Sequence, residues 1–410
     1  MRRAKVITLF SITGVYFFSM FQRVAVPGTI FNDLQTAFAA SAAAVAALGA
    51  IYLYIYGGMQ LFAGMLADGI GASRTLITGG ALLAAGSLFF PFSGSTGQLY
   101  LSRAVVGLGA SLIYISMLKH IDISFSDKNF SLVFSLSIVA GYSGGLAGTY
   151  PFERLVETAG WQESLLLAGI ICLAFVIFSS FRLIKTLSYK KKSGSFRTVR
   201  NILSNRAILP VVISGSSNFS VYFLLQATIG KKLLEDFAGL SSPRAASFTF
   251  WMMLVTMASV LFHGFAGKKT PRRKPFCAAA SSLTAGGAIL ILLNLMFFSS
   301  SPLFLFSYLL CAWAGGNILN ATIIKEINPP GAAGTAVGIY NGAMYSSVAV
   351  TANLAGLVMD AFRDQARVTP EAIIYPANSY IAIFSGCAAL GLISIAASLR
   401  IREAPPPNET

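Results

Sequence analysis

Long apolar runs separated by short polar segments make up most of this chain. A helix needs roughly 20 apolar residues to cross a hydrocarbon core about 30 Å thick, and twelve stretches meet that requirement. They lie near residues 5–31, 42–67, 75–92, 98–120, 129–150, 163–183, 207–229, 244–266, 276–299, 302–325, 334–358 and 376–400. The pattern therefore predicts an all-α membrane protein with 12 transmembrane helices.

A segment rich in Lys, Arg and Ser divides the predicted spans into two sets of six. We therefore predict an N-terminal six-helix bundle over residues 1–183 and a C-terminal six-helix bundle over residues 207–402. A basic cytoplasmic linker over residues 184–206 joins them, and residues 403–410 form a short cytoplasmic tail.

Composition and charge support a membrane protein. The chain is 55% hydrophobic and 11% charged, so a soluble fold would need a core far larger than a single domain builds. The net charge of +15 lies mainly on alternate loops and not on one face with interleaved aromatics, which disfavours nucleic-acid binding. The positive-inside rule places both termini in the cytoplasm, and we expect a bacterial inner membrane.

Chemistry-bearing residues are sparse. The cysteines fall inside predicted spans and far apart, so we expect small apolar core residues, with no disulfide framework, metal site or cofactor. A membrane acyl or glycosyl transferase would need a catalytic base and a donor-binding loop, but the chain has two histidines and no long acid-rich loop. We therefore predict that the chain is not an enzyme.

Three motifs carry a family resemblance. The loop after the second span reads Gly64-Met-Leu-Ala-Asp68-Gly-Ile-Gly71-Ala-Ser-Arg74. Span 4 contains Leu99-x-x-x-Arg103-x-x-x-Gly107-x-Gly109, and Gly141, Gly145 and Gly148 share one face of span 5. These motifs resemble those of the major facilitator superfamily of secondary transporters. The fifth helix of that superfamily normally carries a proline within its glycine run, whereas Pro151 follows the run here.

The resemblance implies two pseudo-symmetric bundles that rock about a central cavity. Gly64 would let neighbouring backbones approach, and Asp68 with Arg74 would latch the inner gate. Further residues are assigned by the same resemblance to gating or structural roles: Gly71, Arg103, Gly107 and Gly145. For Arg103 a structural role is favoured over proton coupling.

Arg23 is the main candidate for substrate binding. A charge in the hydrocarbon costs at least about 2.5 kcal/mol, so it should face protein or water. In sugar-acid symporters and organophosphate antiporters of the superfamily, a first-helix arginine binds the anionic substrate. Here Gln22 replaces the preceding acid, and span 7 offers no second arginine. One guanidinium suits a carboxylate better than a phosphate dianion. The alternative is an arginine that snorkels to the interface.

Other candidates combine an apolar body with a hydrogen-bonding tip. They are Tyr16, Tyr52, Tyr56, Tyr222, Gln226, Asn317, Asn341, Tyr345 and Lys119. Polar side chains also join membrane helices without any substrate, and for Lys119 an interfacial anchor is favoured over a ligand. No buried carboxylate stands out as a proton carrier, so symport, antiport and uniport stay open.

We predict a secondary active transporter, acting as a monomer, for a small organic anion or zwitterion that bears a carboxylate. Its partners would be the lipid bilayer, the small-molecule substrate and a coupling proton or other ion. Glu326-x-Asn-Pro-Pro330 and Tyr222-x-x-x-Gln226-x-x-x-Gly230 resemble carriers near siderophore and dipeptide transporters. A multidrug or siderophore efflux carrier is the alternative within transport, and a polytopic membrane enzyme is the alternative from another class.

Overall fold

A computed structural model describes residues 2–124, 127–183, 196–270, 272–329 and 332–403. The first half contains α1 (Arg2–Val24), α2 (Phe31–Ala37), α3 (Ala42–Gly69), α4 (Ala72–Phe89), α5 (Thr96–Ser124), α6 (Asp127–Ala147), α7 (Tyr150–Ala159) and α8 (Trp161–Leu183). The second half contains α9 (Phe196–Leu203), α10 (Ile208–Ala227), α11 (Gly230–Asp236), α12 (Ser242–Lys269), α13 (Lys274–Leu293), α14 (Ser301–Gly315), α15 (Leu319–Glu326), α16 (Ala333–Ala361) and α17 (Ala377–Ser398).

One small hairpin is the exception to the helical fold in the described ranges. Strands β1 (Arg367–Val368) and β2 (Ile373–Ile374) pair antiparallel, with Arg367 opposite Ile374. We call the side where α1 begins and α17 ends the terminal face. The opposite side, the distal face, carries this hairpin and the short helices α2, α7 and α11.

The predicted spans coincide with helices. Among the described residues, eleven helical stretches are long and apolar enough to cross a membrane. The remaining predicted span corresponds to α6, whose apolar part covers Leu136–Ala147. The all-α, twelve-span prediction is confirmed. The short distal helices were not predicted, and they shorten the spans near 129–150 and 207–229, because α6 ends at Ala147 and α10 ends at Ala227.

Close backbone contact holds α5 against α3 inside the first half. A Cβ atom added to Gly107 would lie 2.8 Å from the carbonyl oxygen of Tyr52 and 3.1 Å from its Cα atom. Both atoms belong to the backbone and cannot rotate away. Gly107 therefore sets the distance between α5 and the helix that carries Tyr52.

We expect Gly107→Ala to destabilise the protein by about 1–3 kcal/mol, because the added methyl group overpacks this contact. Gly58→Ala is the matched control, since a Cβ at Gly58 meets nothing within 4 Å. Thermal unfolding in detergent compares the two variants with the unchanged chain. Equal midpoints for both variants would show that α5 moves away from α3 without cost.

The two halves meet most extensively along α3 and α16. Near the middle of both helices, a Cβ on Gly57 would lie 3.1 Å from the carbonyl oxygen of Gly342. At the distal end, the Asp360 carboxylate accepts hydrogen bonds from the backbone amides of Ala42 (2.8 Å) and Ala43 (3.1 Å). Those amides open α3 and lack partners within their own helix. A side chain of the second half thus caps a helix of the first half.

Candidate functional site

A break in the first membrane helix creates the setting of the site. The α-helical hydrogen bonding of α1 ends at Val24, and Val26 has non-helical backbone angles (φ −121°, ψ 122°) next to Pro27. Proline has no amide hydrogen, so carbonyl oxygens of the preceding turn need other donors.

Arg103 of α5 supplies those donors. Its guanidinium donates to the carbonyl oxygens of Gln22 (3.2 Å), Val26 (3.1 Å) and Leu48 (3.4 Å). The side chain is 1% exposed, and it lies over the ring of Tyr52, 4.8 Å from the ring centroid. Arg103 therefore ties α1, α3 and α5 together at the helix break.

Arg23 lies one turn before the break, with three tyrosines around it. Its Nε atom is 3.4 Å from the Tyr52 hydroxyl, and its Nη1 atom is 3.1 Å from the Tyr345 hydroxyl; both hydroxyls accept. The guanidinium carbon lies 4.4 Å from the ring centroid of Tyr56 and 5.1 Å from that of Tyr345. We call Tyr52, Tyr56 and Tyr345 the tyrosine box.

The charge of Arg23 is not neutralised by a carboxylate in the part of the chain that the structure describes, since none of the ion pairs there includes it. The residue is 6% exposed. Ring faces attract a desolvated cation by about 2 kcal/mol, and hydroxyl oxygens accept its hydrogen bonds. Neither group carries a full negative charge. The site is therefore electrostatically suited to an anion.

Both halves contribute to this site. Arg23, Tyr52 and Tyr56 belong to the first half, and Tyr345 belongs to the second half. Phe219 extends the aromatic surface into α10, with its ring centroid 5.7 Å from that of Tyr345 and 5.6 Å from that of Tyr222.

Other predicted binding residues lie outside the box. Tyr16 packs against Tyr114 at 6.0 Å between ring centroids. Gln226 donates to the carbonyl oxygen of Thr249 (3.0 Å), and the Oδ1 atom of Asn317 accepts from the amide of Leu319 (3.0 Å).

Two further candidates are half-buried, Asn341 and Lys119. The Lys119 ammonium donates to the carbonyl oxygen of Gly64 (2.7 Å), which joins α5 to α3 near the terminal face.

The predicted gate motif is described only in part. The expected close approach at Gly64 is wrong, because a Cβ there meets nothing within 4 Å; the residue contributes its carbonyl oxygen instead. Gly71 precedes the first residue of α4 and has a φ angle of 94°, which favours glycine. The Arg74 side chain is exposed, while the side chain of Asp68 lies outside the described residues. A Cβ on Gly145 would lie 2.7 Å from the methyl group of Met253 in the second half.

A charged cluster at the distal face was missed by the sequence analysis. The Lys231 ammonium lies 2.6 Å from the Glu153 carboxylate, 2.6 Å from the carbonyl oxygen of Thr29 and 3.3 Å from the Glu235 carboxylate. The side chains of Lys231 and Glu153 are 5% and 4% exposed. We call Asp33, Glu153, Lys231 and Glu235 the distal cluster. These carboxylates lie beyond the ends of the membrane spans, and Glu153 is nevertheless buried.

The distal cluster connects the two halves, and its burial and charges shift the pKa values of its own members. Burial disfavours the charge of Lys231, but Glu235 and Glu153 outweigh burial and raise the pKa of its ammonium. Burial raises the pKa of Glu153, and the nearby Lys231 charge only partly offsets it. Burial also raises the pKa of Asp33. Three acidic groups therefore share one lysine.

The next residue makes a separate pair within the second half. The Lys232 ammonium lies 2.7 Å from the Asp236 carboxylate and donates to the carbonyl oxygen of Ile373 (2.7 Å). Asp236 also accepts from the Tyr380 hydroxyl at 2.7 Å. The repeated Lys-to-acid spacing of four residues, Lys231 to Glu235 and Lys232 to Asp236, is the signal by which these pairs could have been found.

The distal cluster lies beside the helix break that follows Arg23, because Lys231 binds the carbonyl oxygen of Thr29. Next to it, a Cβ on Gly28 would lie 2.6 Å from the carbonyl carbon of Ala227, so the backbones of the first and seventh membrane helices touch. This contact and the bonds of Lys231 hold the two halves together at the distal face.

Comparisons with known proteins agree with this architecture. The family model described as Major Facilitator Superfamily matches residues 12–352. Human monocarboxylate transporter 11 is 28% identical over 147 residues, 36% of this chain and 31% of the relative. The methyl viologen resistance protein SmvA of Salmonella typhimurium (strain LT2) is 30% identical over 118 residues, 28% of this chain and 24% of the relative. The chain thus aligns with only about a quarter to a third of these curated relatives.

Solved structures show the fold more completely. A bacterial homologue of the human lysosomal transporter Spinster, inward-facing and unoccupied, covers 99% of this chain and is itself covered completely, with a TM-score of 0.74 and 15% identity. A peptide transporter, POT, in complex with sulfate gives a TM-score of 0.75 at 15% identity, covering 96% of this chain and 94% of its own.

Proposed function

Since the chain belongs to the major facilitator superfamily and is a multi-pass membrane transporter, we propose that it carries a small organic anion or zwitterion with a carboxylate group. Transport would be secondary active and would follow alternating access of a central site to the two faces. The monocarboxylate transporter among the relatives supports this substrate class.

The observation that carries the proposal is that Arg23 is buried and that no carboxylate of the described residues pairs with it. A guanidinium pairs with a carboxylate through two parallel hydrogen bonds. In the described structure two of its donors are held by neutral tyrosine hydroxyls. A carboxylate that replaced one of them would neutralise the charge while the ring of Tyr56 stays in place beneath it.

Additional polar atoms could recognise the rest of the substrate. The Oε1 atom of Gln226 is buried and has no hydrogen-bond partner within the described residues. A buried polar group without a partner is costly, so a ligand that reaches this atom would gain affinity. Five more residues remain candidates for the walls of the route: Tyr16, Lys119, Tyr222, Asn317 and Asn341.

Orientation and assembly follow from the same proposal. The terminal face would be cytoplasmic in a bacterial inner membrane, Asp68 and Arg74 would latch the gate there, and one chain would suffice. The predicted bundle boundaries at residues 1–183 and 207–402 would then separate two moving units. A coupling proton or other ion would supply the driving force.

A binding screen tests the substrate class. Ligand binding to the native state raises apparent stability by about 2.7 kcal/mol at a hundredfold excess over the dissociation constant. The purified protein is heated with small carboxylates, amino acids, dipeptides, sugar acids, siderophores and cationic drugs. Stabilisation by carboxylates and not by their amides would support the proposal, whereas no response to any carboxylate would contradict it.

Drug or siderophore export is the second candidate. The methyl viologen resistance relative and the three tyrosine rings favour it, since ring faces attract organic cations. Arg23, however, already lies over those rings and would repel a second cation. Stabilisation by bulky cations alone would favour this candidate.

Acid is expected to favour closure of the distal face. Asp33 and Glu153 have raised pKa values in the closed structure, so this state binds protons more tightly than one in which water reaches both carboxylates. The added stability is fully present below the ordinary carboxyl pKa of about 4. It is lost as the pH rises through the raised values.

Spin labels at Glu157→Cys and Arg244→Cys report closure, because both positions are exposed and lie on opposite halves. The four native cysteines are buried, so labelling is confined to the introduced thiols. The fraction of short distances should fall as the pH rises, and Asp33→Asn should flatten this profile. A closed fraction that grows with pH would show the opposite linkage.

A further inference from the structure

A cavity whose lining does not include Arg23 lies at the terminal face of the second half. It has a volume of about 620 Å³ and is bounded by the start of α10, the start of α13 and the residues after α17. Its cationic lining residues are Arg206, Lys274, Arg400 and Arg402. The remaining lining is apolar: Ala207, Pro210, Leu399 and Ile401. The cavity therefore combines four positive side chains with an apolar wall.

The cavity walls are held in place by a hydrogen-bonded cluster deeper in the membrane. The Ser394 hydroxyl of α17 lies 2.8 Å from the Asn218 Oδ1 atom of α10 and 2.8 Å from the Ser281 hydroxyl of α13. All three side chains are buried. The same three helices thus meet in one polar cluster and end around one cavity.

The nearby acid leaves the cavity positive. The Glu403 carboxylate accepts hydrogen bonds from the backbone amides of Arg273 and Lys274, where it caps α13. It offsets one of the four lining charges. No acidic side chain is part of the cavity lining among the described residues. A group with more than one oxygen acceptor and a negative charge is the matching ligand.

Exposed apolar side chains adjoin the charged rim. Leu399 lines the cavity and is 59% exposed, and Leu209, beside Pro210, is 60% exposed. A basic loop that only follows the positive-inside rule needs neither a cavity between helix ends nor an apolar wall. Basic pockets between helix ends at the cytoplasmic side of a membrane suit anionic lipid headgroups.

We propose that this cavity binds the phosphate headgroup of an anionic phospholipid, whose acyl chains follow the surface at Leu209 and Leu399. The headgroup joins the ends of the seventh, ninth and twelfth membrane helices. The site is independent of the transported substrate, because its residues belong to the second half and do not include the tyrosine box.

Lipid titration tests the proposal on the full chain. Phosphatidylglycerol is added to protein in phosphatidylcholine nanodiscs, and bound lipid is counted by native mass spectrometry alongside the thermal unfolding midpoint. Each basic residue near a lipid surface contributes about fivefold to affinity, so Arg206→Gln/Arg402→Gln should bind phosphatidylglycerol roughly 25-fold more weakly. Lys274→Gln should bind phosphatidylglycerol about fivefold more weakly. This single variant replaces the double variant as the test if the double variant folds poorly.

The control variant also replaces two arginines by glutamine, but on the distal face. Arg363→Gln/Arg367→Gln removes two exposed arginines and should keep the unchanged affinity. Equal loss in both double variants, or equal binding of phosphatidylcholine, would contradict a specific site. A third arm adds inorganic phosphate to protein in phosphatidylcholine alone. If phosphate reproduces the stabilisation and its loss in Arg206→Gln/Arg402→Gln, the ligand is a soluble phosphate and the lipid assignment is wrong.

Discussion

Arg23→Ala is expected to weaken binding of the transported carboxylate by at least about 30-fold, because truncating one partner of a buried charge pair costs 2–5 kcal/mol or more. The affinity of Arg23→Lys should lie between those of the unchanged protein and Arg23→Ala. An ammonium group keeps the charge but lacks the planar pair of donors that holds two carboxylate oxygens. Tyr52→Phe should have a smaller effect, because the ring stays and only the hydroxyl is removed. Dissociation constants from ligand-induced thermal shifts measure the series.

Transport assays separate substrate binding from the movement of the two bundles that would carry the substrate across. In proteoliposomes, counterflow of the same carboxylate should be lost in Arg23→Ala at substrate concentrations that saturate the unchanged protein. Arg244→Ala is the control, as its side chain is exposed at the distal face. If Arg23→Ala and Arg23→Lys both bind the substrate with unchanged affinity, the assignment of Arg23 to the carboxylate is wrong.

Lys231→Met is expected to open the distal face. The substitution leaves Glu153 buried without its partner, and breaking a buried pair in this way costs about 3–5 kcal/mol. The ratio of open to closed molecules should therefore rise on the order of 100-fold or more. Electron–electron distance measurements between labels at Glu157→Cys and Arg244→Cys should show a longer distance in this variant.

Lys232→Met provides a matched control. Lys232 is equally buried, but its bonds to Asp236 and Ile373 stay within the second half. This variant should lose thermal stability without lengthening the distance between the halves. The double variant Lys231→Met/Glu153→Leu removes both charges and should recover part of the closure. An unchanged distance in Lys231→Met would show that the distal cluster does not hold the halves together.

The membrane fold could be predicted because its rules are local. Each span can be recognised from its own length and apolar content. The helix break that the structure shows at Val26 lies next to a proline, Pro27. Arg23 and Arg103 are both buried in the protein, as the cost of a charge in the hydrocarbon requires. The tyrosine partners of Arg23 were named as candidates, although their arrangement as a box was not.

The distal cluster could not be predicted from local rules. Glu153 and Lys231 are 78 positions apart, and their pairing depends on how two separate halves dock. In the sequence both residues lie just beyond predicted spans, and nothing near either one indicates that they are buried together. Gly64 shows the opposite error: a glycine in a family motif suggested close packing, but the position faces open space and its carbonyl oxygen binds Lys119.

The facing glycines of α3 and α16 bear on how the halves can turn. Where Gly57 meets Gly342 the two backbones touch, and the Cβ atom of Tyr345 lies against Gly57 as well, so Tyr345 is the side chain that a rotation at this contact would move. Tyr345 follows Gly342 by one helical turn, and its hydroxyl reaches Arg23 across the interface. We expect rotation of α16 against α3 at the contact between Gly57 and Gly342 to move the Tyr345 ring away from Arg23. Substrate affinity and the tilt of the bundles then change along a single coordinate.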